Sequence, residues 1–355
     1  MKAIRAILLT LNILAAVGLL LTTLAGSIAP SRSVLPAVAA YAYLPMLALN
    51  LLFLLGWILA RRWPFLISAA AIAVRYSVLF CFFQLGGTSK VPSLDDHPDR
   101  LTLMTYNLHN FSGPEFDYKP KDSIARLFLD LVREHQPDIL CLQEYSSSKS
   151  ITVTDSLQLL GYNHHYGSRG KNGKSYGVVV LSRLPITFVK RINHQKILVE
   201  LLHEDRPIRL CCVHMDSFAF DASDREEIEQ IRRGRLDSTS LSTLRKAKET
   251  IIMHETEWNE QLKPIVTECT VPLVVAGDMN DIPSSWLYSR LSDHMTDAFC
   301  SQGRGFGATY LGGFPQFRID MVFHNDQLRT LSYHRIRTRL SDHYPVIVSL
   351  ELAKP

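Results

Sequence analysis

Apolar residues fill the first 85 positions almost without interruption, whereas from residue 100 onward they come in short runs divided by polar turns. Three long apolar stretches open the chain, at about 4–28, 34–60 and 65–85, with charge almost absent inside them. Each approaches the roughly 20 residues a helix needs to cross a bilayer. They predict three transmembrane helices over residues 1–86, and their lack of charge argues against buried helices of a water-soluble core. A polar linker with Pro92 and Pro98 follows over 87–99. Beyond it, apolar runs at 101–106, 138–142, 176–181, 196–202, 208–213, 272–276, 319–323 and 344–352 predict strands. The spacing of Ile124, Leu127, Phe128 and Leu131 predicts a helix over 122–135. A charged stretch at about 222–263 reads as a helical insertion. Strands alternating with helices indicate an α/β layered domain over residues 100–355.

Charge separates the same two parts. Residues 1–90 hold seven basic side chains (Lys2, Arg5, Arg32, Arg61, Arg62, Arg75 and Lys90) and no Asp or Glu, leaving 31 basic against 34 acidic residues beyond them. The basic balance of the whole chain therefore belongs to its N-terminal part, and the larger domain has no global attraction to nucleic acid. Lys2, Arg5, Arg61 and Arg62 flank the spans more densely than Arg32 does. The rule that basic flanks face the cytoplasm then predicts the domain after residue 86 on the extracytoplasmic side. The six cysteines show no metal-ligand spacing and read as small buried apolar residues, a usage that fits a reducing compartment better. Arg75 inside the third stretch reads as a contact within the helical bundle or with a headgroup.

The candidate chemistry centres on Gly277-Asp278-Met279-Asn280, which follows the apolar run 272–276. Side chains alternate along a strand, so Asp278 and Asn280 share a face. A carboxylate accepts a proton or binds a hard cation, and a carboxamide donates to an oxyanion without carrying charge. Other polar residues stand at the edges of apolar runs: Asn107, Glu144, His214, Asp320, Asp342 and His343. Taken singly, each has a structural reading, such as a turn cap for Asn107 or an ion pair with Arg318 for Asp320. Gathered at strand ends, they make a cleft rich in carboxylate and imidazole. Two basic clusters stand out, Arg169, Lys171 and Lys174 in a Gly-rich loop, and Arg225, Arg232, Arg233, Arg235, Arg245, Lys246 and Lys248 in the insertion. They could draw in nucleic acid or anionic headgroups, but Asp224, Glu226, Glu227 and Glu229 are interleaved in the insertion, and a solvated face is the preferred reading.

Several ordered motifs carry a resemblance. They are Thr105-Tyr106-Asn107, Gln143-Glu144, Tyr176-Gly177-Val178, Ser182-Arg183-Leu184-Pro185-Ile186, Val213-His214, Gly277-Asp278-Met279-Asn280, Arg318-Ile319-Asp320 and Ser341-Asp342-His343-Tyr344-Pro345-Val346. In this order they resemble the endonuclease/exonuclease/phosphatase superfamily, the group of deoxyribonuclease I, over residues 100–352. The resemblance implies a four-layered α-β-β-α sandwich and one cleft binding Mg²⁺ or Mn²⁺. It implies Glu144 as the main metal carboxylate, with Asn107 beside it and Asp342 in support. It also implies Asp278 as the residue that positions or deprotonates water, Asn280 as a donor to phosphoryl oxygens, and Asp320 as the group that orients His343. His214 would contact phosphate or assist the leaving group, and Tyr176 would bind substrate.

The expected function is a membrane-anchored, metal-dependent phosphodiesterase acting on nucleic acid or a phosphorylated small molecule. The alternative is a phospholipid or sphingolipid phosphodiesterase held near headgroups by its anchor. A third reading is a membrane-tethered binding protein with an inactive site. Beyond the phosphoester substrate and the lipid bilayer, the sequence names no protein partner.

Overall fold

The computed structural model describes residues 2–114, 121–146, 153–169, 175–218, 240–312 and 316–353. The chain divides into two compact units. One comprises Met1–Phe80, Asp216–Glu260 and Ile282–Arg290, and the other Cys81–Met215, Gln261–Asp281 and Leu291–Pro355.

The first unit opens with helices α1 (Lys2–Thr23), α2 (Val34–Ala39), α3 (Tyr43–Leu59) and α4 (Phe65–Val74). Two helical stretches, Lys2–Gly26 and Val34–Leu59, are long and apolar enough to cross a membrane. The third stretch is not a continuous span, which corrects the expectation of three. α4 stops at Arg75, whose φ of −142° and ψ of 49° leave the helical region, and a short α5 (Ser77–Phe82) follows. The cause is electrostatic. Arg75 Nη1 donates to the Thr23 carbonyl at 2.6 Å, one of the acceptors that a helix C-terminus leaves without an intrahelical partner. Polar contacts fix the register of the bundle: Asn12 Nδ2 donates to Ser68 Oγ at 2.7 Å, and Asn50 Nδ2 donates to the Ala15 carbonyl at 2.9 Å.

Segments Asp216–Glu260 and Ile282–Arg290 group with these helices. Ser31 N and Oγ donate to Glu255 at 2.7 and 2.8 Å, Ser284 Oγ to the Ala40 carbonyl at 3.0 Å, and Arg290 Nη2 to the Gly26 carbonyl at 3.0 Å. The described part of the insertion is helical, with an α-helix over Ser240–Glu257 and a π-helical turn over Trp258–Leu262.

The second unit is built on two six-stranded sheets. The first contains β2 (Leu101–Asn107), β3 (Ile139–Ser146), β4 (His164–Arg169), β5 (Ser175–Ser182), β13 (Leu328–Arg335) and β14 (Val346–Leu352), in the order β13-β14-β2-β3-β5-β4. The second contains β6 (Ile186–Arg191), β7 (Lys196–His203), β8 (Arg206–His214), β9 (Leu273–Asp278), β10 (Thr296–Asp297) and β12 (Asp320–His324), in the order β10-β12-β9-β8-β7-β6. A two-stranded ribbon pairs β1 (Phe83–Gln84) with β11 (Gly305–Phe306).

Each large sheet carries one parallel pair at its centre, β2 with β3 and β8 with β9, flanked by antiparallel strands. Central strands lie buried on both faces, which explains their unbroken apolar runs. Leu103, Cys141, Val180, Val199, Leu210, Cys212, Val274, Val322 and Val348 form the core between the sheets. On the outer face of the first sheet, α6 (Lys121–His135) and α7 (Val153–Leu159) bring Ile124, Phe128, Val132 and Leu157 against Met104, Tyr106, Leu140 and Leu142. Each such side chain stabilises the fold by about 1.5–3 kcal/mol through burial.

Candidate active site

The two parallel pairs end together. Asn107 closes β2, Glu144 lies near the end of β3, and His214 and Asp278 close β8 and β9, where they are register partners. Asp320 opens β12, opposite Asp278. His343 precedes β14 and bridges to Tyr310. Topology therefore delivers six polar side chains to one edge of the sandwich, from segments far apart in sequence.

Gly277 makes this convergence possible. Its φ of +146° suits glycine, and a Cβ there would lie 1.9 Å from the Val213 carbonyl oxygen. Only a residue without a side chain lets β9 approach β8 closely enough to place Asp278 beside His214.

Asn107 Nδ2 donates to Glu144 Oε1 at 3.1 Å and to Asp278 Oδ2 at 3.0 Å, so one carboxamide ties the first sheet to the second. His214 Nε2 lies 3.8 Å from both Glu144 Oε1 and Asp278 Oδ2. His343 sits on the other side, its Nε2 3.8 Å from Asp278 Oδ2 and its Nδ1 2.8 Å from Asp320 Oδ2. Asp320 is in turn held by its own backbone N–H, which donates to Thr309 Oγ1 at 3.0 Å. Asn280 has a φ of 47°, its N–H donates to Asp278 Oδ1 at 2.8 Å, and its Nδ2 donates to the Met215 carbonyl at 2.9 Å.

Burial and charge oppose each other at these groups. Burial alone would lower the His343 pKa, but the carboxylates of Asp320 and Asp278 outweigh it and push the imidazole up to about 10. Burial pushes the Asp278 carboxyl above its ordinary value, an effect His343 only partly offsets and Asp320 reinforces.

Two further residues have partners of their own. Asp342 Oδ1 accepts from Ser341 Oγ at 3.0 Å and lies 3.6 Å from His109 Nδ1, so its described partners are Ser341 and His109. Arg318 does not pair with Asp320. Its Nη2 donates to Asp297 Oδ2 at 2.6 Å, both groups being buried. The side chains of Tyr176 and Arg169 are outside what is described, and Lys171, Lys174, Arg225, Arg232, Arg233 and Arg235 lie outside the described residues altogether.

The sequence reading missed Asn110, whose Nδ2 donates to Glu144 Oε2 at 3.2 Å, and His109, beside Asp342. The available signal was the run of polar residues just past the end of β2. Among the described residues, five of the nine non-glycine residues with positive φ lie in or next to the cluster: His109, Asn110, Phe111, Glu144 and Asn280. Backbone strain of this kind persists only where surrounding structure enforces it, and it gathers at functional sites.

The donor set suits a divalent cation, because it offers carboxylate oxygens and imidazole nitrogens and no thiolate. Glu144 is half-buried, its Oε1 accepting from Asn107 and its Oε2 from Asn110. A second grouping, Asp278, Asp320 and His343, brings one ligand atom from each residue within 4.8 Å of the others.

Residues 104–343 match the sequence model of the endonuclease/exonuclease/phosphatase family. Residues 5–82 match a domain of unknown function, DUF8431. No curated protein matches the chain. Among solved structures, the human Nocturnin catalytic domain with bound sulfate anion is similar at 17% identity and a TM-score of 0.53, covering 72% of this chain and 94% of its own. The endonuclease/exonuclease/phosphatase from Bacteroides vulgatus is similar at 18% identity and a TM-score of 0.50, covering 72% and 99%. At these identities the likeness is one of fold.

Proposed function

The chain belongs to the endonuclease/exonuclease/phosphatase family, and on that footing we propose that it is a divalent-metal-dependent phosphodiesterase anchored in a membrane by its N-terminal helices. The observation that carries this reading is the convergence of Asn107, Glu144, His214, Asp278 and the Asp320–His343 pair at one sandwich edge.

In this reading Glu144 would hold the cation, with Asn107 beside it orienting the carboxylate: Asn107 Nδ2 donates to Glu144 Oε1, and its Oδ1 accepts from His109 N–H. When bound, the cation offsets the anionic charge of the phosphoryl group. Asp278 accepts the proton of the attacking water; its raised pKa makes it a stronger base than a solvated aspartate. His343, protonated across the neutral range, directs Nε2–H at the phosphoryl oxygens and stabilises the charge that builds there. Asp320 fixes the imidazole through Nδ1. Asn280 adds an uncharged donor beside it, and His214 faces the leaving group.

The register of the helical bundle supports the side of the membrane. α1 and α3 run antiparallel, because Asn50 meets Ala15 while Met46 meets Gly18. α4 runs parallel to α1, because Ser68 meets Asn12 while Arg75 meets Thr23. Lys2, Arg5, Arg61 and Arg62 therefore stand at one end of the bundle, and Gly26, Ser31 and Ala40, with their partners Arg290, Glu255 and Ser284, at the other. With the basic end in the cytoplasm, Glu255, Ser284 and Arg290 stand at the extracytoplasmic end.

A second reading keeps the chemistry and changes the substrate to a phospholipid or sphingolipid. It is favoured by the apolar surface of the helices, where Leu14, Val17, Leu52, Leu55 and Leu59 are exposed. The test uses the full-length protein in detergent with Mg²⁺, Mn²⁺ or chelator. Its substrates are bis-p-nitrophenyl phosphate, plasmid DNA, RNA and sphingomyelin or phospholipid vesicles. Chelator-sensitive hydrolysis of the chromogenic diester is expected. DNA or RNA cleavage selects the first reading, lipid cleavage the second, and inertness toward every phosphoester would refute both.

A further inference from the structure

Two cysteine thiols, from positions 219 residues apart, meet in the second unit. The thiol of Cys300, on the helix Ala298–Gln302, hydrogen-bonds that of Cys81, at the end of α5. The contact is framed on both sides by backbone pairing. Phe83 and Gln84 of β1 pair with Phe306 and Gly305 of β11, and Gly307 N–H donates to the Phe82 carbonyl at 2.9 Å. A buried ion pair joins the two cysteines as well. Arg318 Nε donates to the Cys81 carbonyl at 2.9 Å, and its Nη2 donates to Asp297 Oδ2. The Cys300 thiol donates to that same carboxylate oxygen at 3.5 Å, and Asp297 Oδ1 caps the helix by accepting from Phe299 N–H at 2.9 Å.

We propose that Cys81 and Cys300 are a built disulfide site, which closes when the protein meets a small-molecule disulfide. Cys81, as thiolate, attacks a sulfur of the oxidant, forming a mixed disulfide and releasing one thiol, because the hydrogen bond with Cys81, burial and the Asp297 carboxylate push the Cys300 thiol well up. Cys300 then attacks the protein sulfur of that mixed disulfide, forming the Cys81–Cys300 bond and releasing the second thiol. Two protein thiols are oxidised, one oxidant disulfide is reduced, and the two protein protons end on the released thiols.

Accessibility singles out this pair. The Cys141 thiol also contacts that of Cys212, but both are fully buried between the sheets, where no oxidant reaches them. Cys211 is equally buried, and the Cys269 thiol donates to the Val271 carbonyl. Cys81 and Cys300 are each partly exposed. The bond would fasten the segment that leaves the apolar helices to the ribbon β1–β11 and to the helix Ala298–Gln302, and would close a long loop, the arrangement in which a cross-link restrains the unfolded chain most.

The test treats the full-length protein in detergent with oxidised glutathione, denatures it, alkylates it and maps its peptides by mass. The expected result is that two of the six thiols escape alkylation and that one cross-linked species joins the Cys81 and Cys300 peptides. A thermal midpoint higher by roughly 5 °C or more is expected for the oxidised form, abolished by Cys300→Ser and by reductant. Alkylation of all six thiols, glutathione retained on either cysteine, or a bond between Cys141 and Cys212 in its place would overturn the proposal.

Discussion

Nδ1 of His343 lies 2.8 Å from Oδ2 of Asp320, with both side chains buried. In the fold the imidazolium is held up to about 10, against an ordinary value of 6.5. The stabilisation this gives is therefore full below about 6.5 and is lost as pH rises through about 10. If protonated His343 is the catalytic form, activity falls on the same alkaline limb. Asp320→Asn removes the leading source of the upward shift, so its pH–rate profile turns down at a lower pH, nearer the ordinary value. An unchanged alkaline limb in that variant contradicts the assignment.

Asn110 reaches Glu144 through a 3.2 Å hydrogen bond from a left-handed backbone. A group that orients a metal ligand typically changes metal affinity by about 10–100-fold when removed. Asn110→Ala is expected to raise the half-saturating Mg²⁺ concentration within that range while leaving turnover at saturating metal nearly intact. Titration of activity against metal concentration separates these quantities.

Gly277 tolerates no side chain. Alanine there places a Cβ 1.9 Å from the Val213 carbonyl, so β8 and β9 must separate. The expected loss of stability is at least about 1–3 kcal/mol, as for overpacked cores, with activity lost alongside it. Denaturant unfolding of Gly277→Ala measures the first, and a wild-type midpoint would show that the strands have room.

The buried Arg318–Asp297 pair is stability machinery at one remove from the site. Removing one partner leaves an uncompensated charge in the interior, which typically costs about 3–5 kcal/mol. Asp297→Asn also weakens the cap on Phe299 N–H, so the thermal midpoint should drop sharply. The double replacement of both charges by apolar residues is expected to recover much of the loss.

Much of the site was legible because strand ends advertise themselves. Asn107, Glu144, His214, Asp278 and Asp320 each follow or open an apolar run that had to be a buried strand, and such strands in an α/β sandwich deliver their ends to a common edge. What failed to show was set by distant contacts. Arg318 and Asp320 stand two residues apart, which invites a local pair, yet Asp297 claims the guanidinium from across the fold. The third apolar stretch was long enough for a span, but Arg75 is drawn to the Thr23 carbonyl and breaks the helix. His109 and Asn110 owe their positions to positive φ angles that no hydrophobic pattern encodes. Strands β4, β6 and β13, all at sheet edges, escaped notice; β6 is exposed along nearly its whole length, so apolar alternation has little reason to appear in it.

The central claim rests on Asp278 as the base of a single phosphoester-cleaving centre. The most direct measurement is steady-state hydrolysis of bis-p-nitrophenyl phosphate by full-length Asp278→Asn, in detergent with saturating Mg²⁺, beside a thermal melt of the same preparation. A fall in kcat of at least ~1000-fold in a preparation that still melts cooperatively is predicted, since a buried base and its charge are lost, while one N–H left without an acceptor costs only about 1–3 kcal/mol of stability. Turnover within about tenfold of wild type would show that the proton leaves by another route and that the assigned centre is not the one at work.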